Sequence, residues 1–369
     1  MVTQDLTPLS PAERGEKLVE SLFGASIATM ELFAVYLGDR LGYYRDLAES
    51  GAATSTELAQ RTNTNERYTR EWLEQQAMAG VLDVEDTGIA STRRFRLPAG
   101  HDEVLTDRDS LSYMSPMVRL AAGCVSVMPA LLEAFRNGGG VPYPDYGQDT
   151  REGIADMNRV MFINELASEW LPALPDIHQQ LLDTDRPARV ADIGCGTGWS
   201  SIAIAQGFPA TLVDGFDVDN ASIETANVTA VSLGLQDRVT FEVRDAGDPT
   251  LAGAYDFACA FECIHDMANP IATLAAMRRL VGAGGTVLIA DERVADVFDA
   301  TTGDEIERLM YGFSILHCLP VGMADAPSVG TGTVMRFDTF RAYAEQAGFQ
   351  NVEVLPIDNI FWRFYRLTA

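Results

Sequence analysis

Histidine is scarce in this 369-residue chain, with four copies, and cysteine hardly commoner, with five. The cysteines, Cys124, Cys195, Cys259, Cys263 and Cys318, are widely scattered. That excludes a disulfide scaffold and fits reduced thiols, with only Cys259 and Cys263 spaced as a metal pair could be. Basic residues are also short, 27 against 53 acidic ones, for a net charge of −26 and a pI near 4.4. A surface of that sign repels phosphate backbones and argues against tRNA, rRNA or DNA as a substrate. No apolar span near the ~18 residues of a membrane crossing stands out. The first 17 residues are polar with acidic side chains, so neither signal peptide nor anchor is expected, and the expected compartment is the cytoplasm. What is present is a 47% apolar content, ample for the cores of two or three domains.

The densest signal is Arg189 to Trp199, RVADIGCGTGW, an apolar stretch broken by Gly194, Gly196 and Gly198. It reads as a buried parallel strand entering a glycine loop that opens a helix at Ser200 to Gln206, the geometry of a nucleoside crevice. A dinucleotide fingerprint needs a third glycine at position 199, where this chain has Trp199. Three further strands follow. Thr211 to Phe216 ends in Asp217, 21 residues past Gly196, placed to accept from two ribose hydroxyls. Val239 to Val243 ends in Arg244, Asp245 and Ala246, and Tyr255 to Phe261 runs into Glu262, Cys263, Ile264, His265, Asp266 and Met267.

From Pro187 to the C-terminus the chain therefore resembles the class I S-adenosylmethionine (SAM)-dependent methyltransferases. The resemblance implies an α/β, Rossmann-like domain with a seven-stranded, mostly parallel sheet. It also implies SAM contacts at Asp192, Gly194, Gly196, Thr197, Gly198, Asp217, Val218, Asp245, Ala246, Phe261 and Glu262. His265 and Asp266 fall beside the transferred methyl group. The His-Asp pair resembles that of winged-helix small-molecule O-methyltransferases, where the histidine is a general base. With His317, in an apolar setting, the pair also resembles the metal-dependent C-methyltransferases of α-keto acids, which implies Fe or Zn held by His265, Asp266 and His317. Glu292 or Glu305 could partner His265, although Asp291 and Glu292 read more simply as an ordinary strand end and Glu305 as a solvated helix face.

Upstream, residues 12 to 48 carry apolar side chains at helical spacing, more than one helix can hide, which suggests a homodimer. Two short capped helices, Ser55 to Arg61 and Asn65 to Ala79, precede strands Val81 to Val84 and Arg93 to Leu97 around a turn at Asp86. This order resembles a winged helix. A DNA-binding regulator is the rival reading, but the charges of the second helix sum to −1, leaving Arg93, Arg94 and Arg96 as the local basic cluster. The expected organisation is a winged-helix dimerisation region over 1–104, a helical connector over 105–182 and the catalytic domain over 183–369. Within the connector, Tyr143, Tyr146, Arg151, Met157, Arg159 and Met161 are the candidates for a wall around a small-molecule substrate, with neither nucleic acid nor membrane as partner.

Overall fold

A computed structural model describes residues 9–85, 89–90, 92–251 and 253–368. The chain divides into two compact units, 1–118 and 119–369. Residues 119–182, expected in a separate connector, count with the second.

The first unit opens with a helix, Pro11–Arg40. Ser10 and Glu13 cap it reciprocally, and Pro11 sits in the first turn, where no N–H is needed. Its C-terminal half packs closely: a Cβ on Gly38 would stand 2.3 Å from the Trp72 ring, and Trp72 Nε1 donates to Ala34 O at 2.7 Å. Further upstream, Leu18, Val19, Leu22, Phe23, Ile27 and Met30 are 46–69% exposed. An 18-residue window of this helix has a mean hydropathy of 1.5, long and apolar enough to cross a membrane by length and composition alone. The expectation of no such span is corrected. Ala, Gly and Ser interrupt the large apolar side chains, so no run looks continuous, yet the window holds at most two charges.

Helices Ser55–Arg61 and Glu66–Met78 follow, capped by Thr54 and Asn65. Strands β1 (Asp83–Val84) and β2 (Phe95–Arg96) pair antiparallel, shorter than expected from sequence. Residues 86–88 of the turn between them lie outside the described residues. Tyr43, Tyr44, Leu47, Leu58, Trp72, Leu73 and Phe95 form the core of this winged helix. Its arginines are matched by its own acids: Arg93 to Glu74 at 2.6 Å, Arg94 to Glu57 at 2.9 Å and Arg96 to Asp83 at 2.7 Å.

The second unit is built on β3 (Arg189–Ile193), β4 (Leu212–Asp217), β5 (Val239–Val243), β6 (Phe257–Phe261), β7 (Thr286–Glu292), β8 (Asn351–Val354) and β9 (Trp362–Thr368). They form one sheet in the order β5-β4-β3-β6-β7-β9-β8, parallel except for β9. Side chains alternate between two apolar layers: Val190 faces one with Leu166, Trp170 and Phe364, while Ala191 and Ile193 face the other with Met277 and Phe340. The strand order reverses between β3 and β6, so the loops after those two strands diverge and leave a crevice at their C-terminal ends.

Candidate active site

β3 ends at Ile193, and the next glycines turn the chain through left-handed conformations, with φ of +67° at Gly194, +51° at Gly196 and +82° at Gly198. A Cβ on Gly198 would lie 2.4 Å from the Phe241 ring and one on Gly194 2.6 Å from Cys263 Sγ, so sterics and dihedral both require glycine there. Around Gly196 nothing lies within 4 Å of such a Cβ. Its N–H donates to Asp217 Oδ2 at 2.8 Å, and Asp219 N–H donates to the other carboxylate oxygen at 2.8 Å. The carboxylate expected to meet a ribose is thereby anchored at both oxygens, each keeping a lone pair for a ligand. Burial pushes its pKa up against those donors.

Other expected cofactor contacts land differently. Asp192 is 1% exposed, and one of its oxygens accepts from Ser200 Oγ and Ser201 Oγ, both at 2.6 Å. Through that oxygen it clamps β3 to the start of helix Trp199–Gly207. Burial raises its pKa to about 6. Phe261 is likewise a core residue, its ring 5.2 Å from Phe162, because it is the last inward position of a fully buried strand. Val218 is exposed, Ala246 and Thr197 are buried, and Asp245 is exposed, with Oδ1 accepting from Gly247 N–H at 2.8 Å.

The ends of β6 and β7 lie side by side, since Phe261 pairs with Ala290. Two short runs of polar residues therefore meet. His265, 2% exposed, places Nδ1 2.6 Å from Asp291 Oδ1. A carboxylate can only accept, so Nδ1 carries a proton, and Nε2 is the nitrogen that gives up its proton when the imidazolium titrates. Glu292 Oε2 is 3.9 Å from the same Nδ1. Burial disfavours the imidazolium, but the Asp291 and Glu292 carboxylates outweigh it and hold the His265 pKa well above its usual range. Asp291 and Glu292 are thus not an ordinary strand end, whereas Glu305 is exposed on its helix. Glu262 adopts φ +52°, a strained conformation for a non-glycine residue, while its N–H donates to Ala290 O at 2.8 Å. Its carboxylate accepts from Asn158 Nδ2 and neighbours Glu292. Asp266 is pushed up to about 7 by burial, with His265 opposing.

His317 is buried 4.7 Å from the Tyr146 ring and 5.8 Å from the Tyr143 ring. Burial and the charge of His265 push its pKa down to about 3, so it is neutral. Tyr146 OH donates to Leu316 O at 3.0 Å, and Arg151 pairs with Asp219 at 2.8 Å. Arg159 lies 4.6 Å over the Trp199 ring, beside the glycine loop. Met161 packs on the apolar core and Met157 is half-buried. The structure thus joins Tyr143, Tyr146 and His317, sets Arg151 and Arg159 near the glycine loop, and draws Asn158 and Asp291 into the site. Neither was expected there. The available signal was a carboxyl pair closing the uniformly apolar run of β7.

Among the described residues, the side chains that converge closely enough to chelate are His265, Asp291 and Glu292; Asp266 and His317 are not part of that group. Two ligands at right angles on Fe or Zn, with bonds of about 2.1 Å, stand about 3 Å apart. The 2.6 Å contact between His265 and Asp291 is a hydrogen bond instead. That bond engages only His265 Nδ1 and Asp291 Oδ1, while Asp291 Oδ2 and His317 Nε2 are buried without a hydrogen-bond partner.

A mostly parallel seven-stranded sheet with its glycine loop at the reversal defines the class I SAM-dependent methyltransferase fold. The chain belongs to the methyltransferase-domain family, whose signature spans residues 165–354, and residues 28–107 match the Rv2258c-like winged HTH domain. It is 28% identical over 177 residues to Methyltransferase GfsG of Streptomyces halstedii, covering 48% of this chain and 58% of that protein. It is also 28% identical to the 27-O-demethylrifamycin SV methyltransferase of Amycolatopsis mediterranei, over 44% of this chain and 54% of that one. The chain thus matches little more than half the length of these relatives. Among solved structures, a putative O-methyltransferase from Nostoc punctiforme superimposes with a TM-score of 0.67 at 20% identity, covering 98% of this chain and 100% of that one. The human N-acetylserotonin methyltransferase with SAM gives 0.67 at 16% identity, covering 98% and 99%. These two establish likeness of fold.

Proposed function

We propose that the protein transfers the methyl group of SAM to a hydroxyl group of a small organic acceptor, with His265 as general base. The carrying observation is the contact between His265 Nδ1 and Asp291 Oδ1, 2.6 Å long with both residues at most 2% exposed. Methyl transfer from a sulfonium is an in-line displacement: the acceptor oxygen bonds to the methyl carbon as the carbon–sulfur bond breaks, and S-adenosylhomocysteine leaves neutral. The hydroxyl proton must go elsewhere. Nε2 of an imidazole whose Nδ1–H is held by Asp291 is oriented to take it, and the carboxylate stabilises the imidazolium that forms. SAM is held by the Gly194–Gly198 loop and Asp217, which bring donor and acceptor into one crevice.

Replacing His265 by Ala is expected to lower turnover by about 10²- to 10⁴-fold while leaving S-adenosylhomocysteine affinity unchanged. Unchanged turnover, or an equal loss of cofactor binding, would count against the base.

The same proposal assigns the exposed face of helix Pro11–Arg40 to a second copy of the chain. It leaves duplex DNA aside, since the wing arginines are already paired with acids of their own unit.

A further inference from the structure

We infer, resting on the methyltransferase reading above, that His317 is a specificity-determining residue whose Nε2 hydrogen-bonds a second hydroxyl of the acceptor, apart from the one that meets His265. The acceptor is then at least a diol. Three observations carry this.

The first is a polar atom with nothing to bond. His317 is 4% exposed, and its Nε2 has no hydrogen-bond partner, while Nδ1 lies 3.5 Å from Cys318 Sγ. A buried ring nitrogen is normally met by protein or by a bound molecule. Of the two tyrosine rings set edge-on to the imidazole, Tyr146 is fixed through its hydroxyl to Leu316 O at 3.0 Å. Tyr143 is half-buried, and among the described residues its hydroxyl makes no hydrogen bond, so it is the ring whose rotation opens Nε2 to a ligand.

The second is the place. Gly332 N–H donates to His265 O at 3.0 Å, and a Cβ on Gly332 would lie 2.6 Å from Ser314 Oγ. A Cβ on Gly322 would lie 2.9 Å from Asp266 O. The segment that carries His317 is therefore packed on the turn that carries His265. On its other side Tyr143 lies within reach of the charges of Asp217 and Asp219. His317 thus stands beside both the base and the cofactor carboxylate.

The third is how the residue is mounted. Ser314–Cys318 is a wide π-helical turn, with Leu319 N–H donating to Ser314 O five residues back. Such turns are rare and concentrate at functional sites. This one is braced by Val141 N–H on Pro320 O at 2.9 Å, and Gly140 approaches so closely that a Cβ there would stand 2.0 Å from the same oxygen. The imidazole is held in one orientation, as recognition of a single group requires.

The chemistry of that group follows from its surroundings. The side chains against the ring are two phenols and a thiol, with no carboxylate or cationic group among them to balance an ion. A hydroxyl both donates and accepts, so it satisfies Nε2 whichever ring nitrogen carries the proton.

The test is calorimetry on the full-length protein saturated with S-adenosylhomocysteine, in buffer containing a chelator. Phenol against catechol and resorcinol, naphthols against naphthalenediols, and cyclohexanol against cyclohexanediols serve as probes. At least one diol is expected to bind about tenfold or more tighter than its mono-ol, the worth of one buried hydrogen bond. His317→Phe is expected to abolish that preference, and His317→Gln, whose amide donates and accepts, to keep part of it, each with S-adenosylhomocysteine affinity within twofold. In turnover with SAM, His317→Phe should raise KM for the diol about tenfold with kcat changed less than threefold, the split of a binding group and not of a base. The wild-type preference is read without any substitution, so the test does not depend on the Phe variant folding. Mono-ols binding as tightly as every diol, no diol binding at millimolar concentration, a preference that survives His317→Phe, or a Gln variant no better than Phe would overturn the inference. So would a stoichiometric metal in the purified wild-type protein that His317→Gln releases, since Nε2 would then be its ligand. Failure of the wild-type protein to bind S-adenosylhomocysteine would instead remove the methyltransferase reading itself.

Discussion

Two regions of this molecule place side chains against the usual preference, in opposite directions. Helix Pro11–Arg40 leaves Leu18, Val19, Leu22, Phe23 and Met30 more than half exposed, while the ends of β6 and β7 bury His265, Asp291 and Glu292 at 5% exposure or less. Each is costly for a chain alone. Exposed apolar area forgoes about 25 cal/mol per Å², and a buried ion without full pairing costs several kcal/mol. The difference between them is in what relieves the cost. An apolar stripe is satisfied by any complementary apolar surface, such as a second copy of the chain. A buried cluster of acceptors is satisfied only by donors at particular places, which makes it selective. In the function proposed above, the first region serves association and the second chemistry.

The comparison breaks most visibly at the buried end. Asp291→Asn keeps the shape of the side chain but no longer fixes the proton on His265 Nδ1, and turnover is expected to fall about 10²-fold or more, read from single-turnover kinetics with cofactor affinity unchanged. Asp217→Ala removes the anchored carboxylate and frees the Gly196 N–H, at an expected cost of about 1.5–3 kcal/mol in SAM binding, or roughly ten- to a hundredfold by calorimetry. A smaller effect follows from pH. The base acts only when Nε2 is free, and the raised His265 pKa keeps it protonated to higher pH than an ordinary imidazole. The rate should therefore rise with pH and level off above the usual imidazole value of about 6.5. Asp291→Asn should move that midpoint down. At the exposed end, Phe23→Asp is expected to turn a dimer into a 40.1 kDa monomer in light scattering, with the fold of each unit intact by circular dichroism. Wild-type protein that is already monomeric, or that sediments with lipid vesicles, would give that helix a different partner. The smallest expected effect is that of a strong chelator, which should leave turnover unchanged where His265, hydrogen-bonded to Asp291, acts as the base; loss of turnover would instead place a metal beside His265.

Much of this was legible along the chain. The glycine loop, Asp217 at the end of β4 and the bounds of β5 follow from features a few residues long: an apolar run of strand length, glycines where φ turns positive and a carboxylate at the strand's end. The capped helices of the winged unit were legible for the same reason, since Thr54 and Asn65 act on N–H groups within three residues. The membrane-length character of helix Pro11–Arg40 was hidden because it is a property of an average over the window, diluted by small residues, and not of any continuous run.

The sequence by itself determined which backbone segments turn, cap and pair, because those choices rest on interactions between residues close together in the chain. Only the tertiary structure decided what the polar side chains do. Asp192 is seen to hold Ser200 and Ser201 only once the helix after the glycine loop is in place, and Asp291 looks like a strand terminus until the pairing of β6 with β7 sets it against His265, 26 residues away. Asn158 reaches Glu262 across 104 residues of chain. A side chain's role in a site depends on which donors and acceptors surround it once water is excluded, and that is settled by packing between elements distant in sequence.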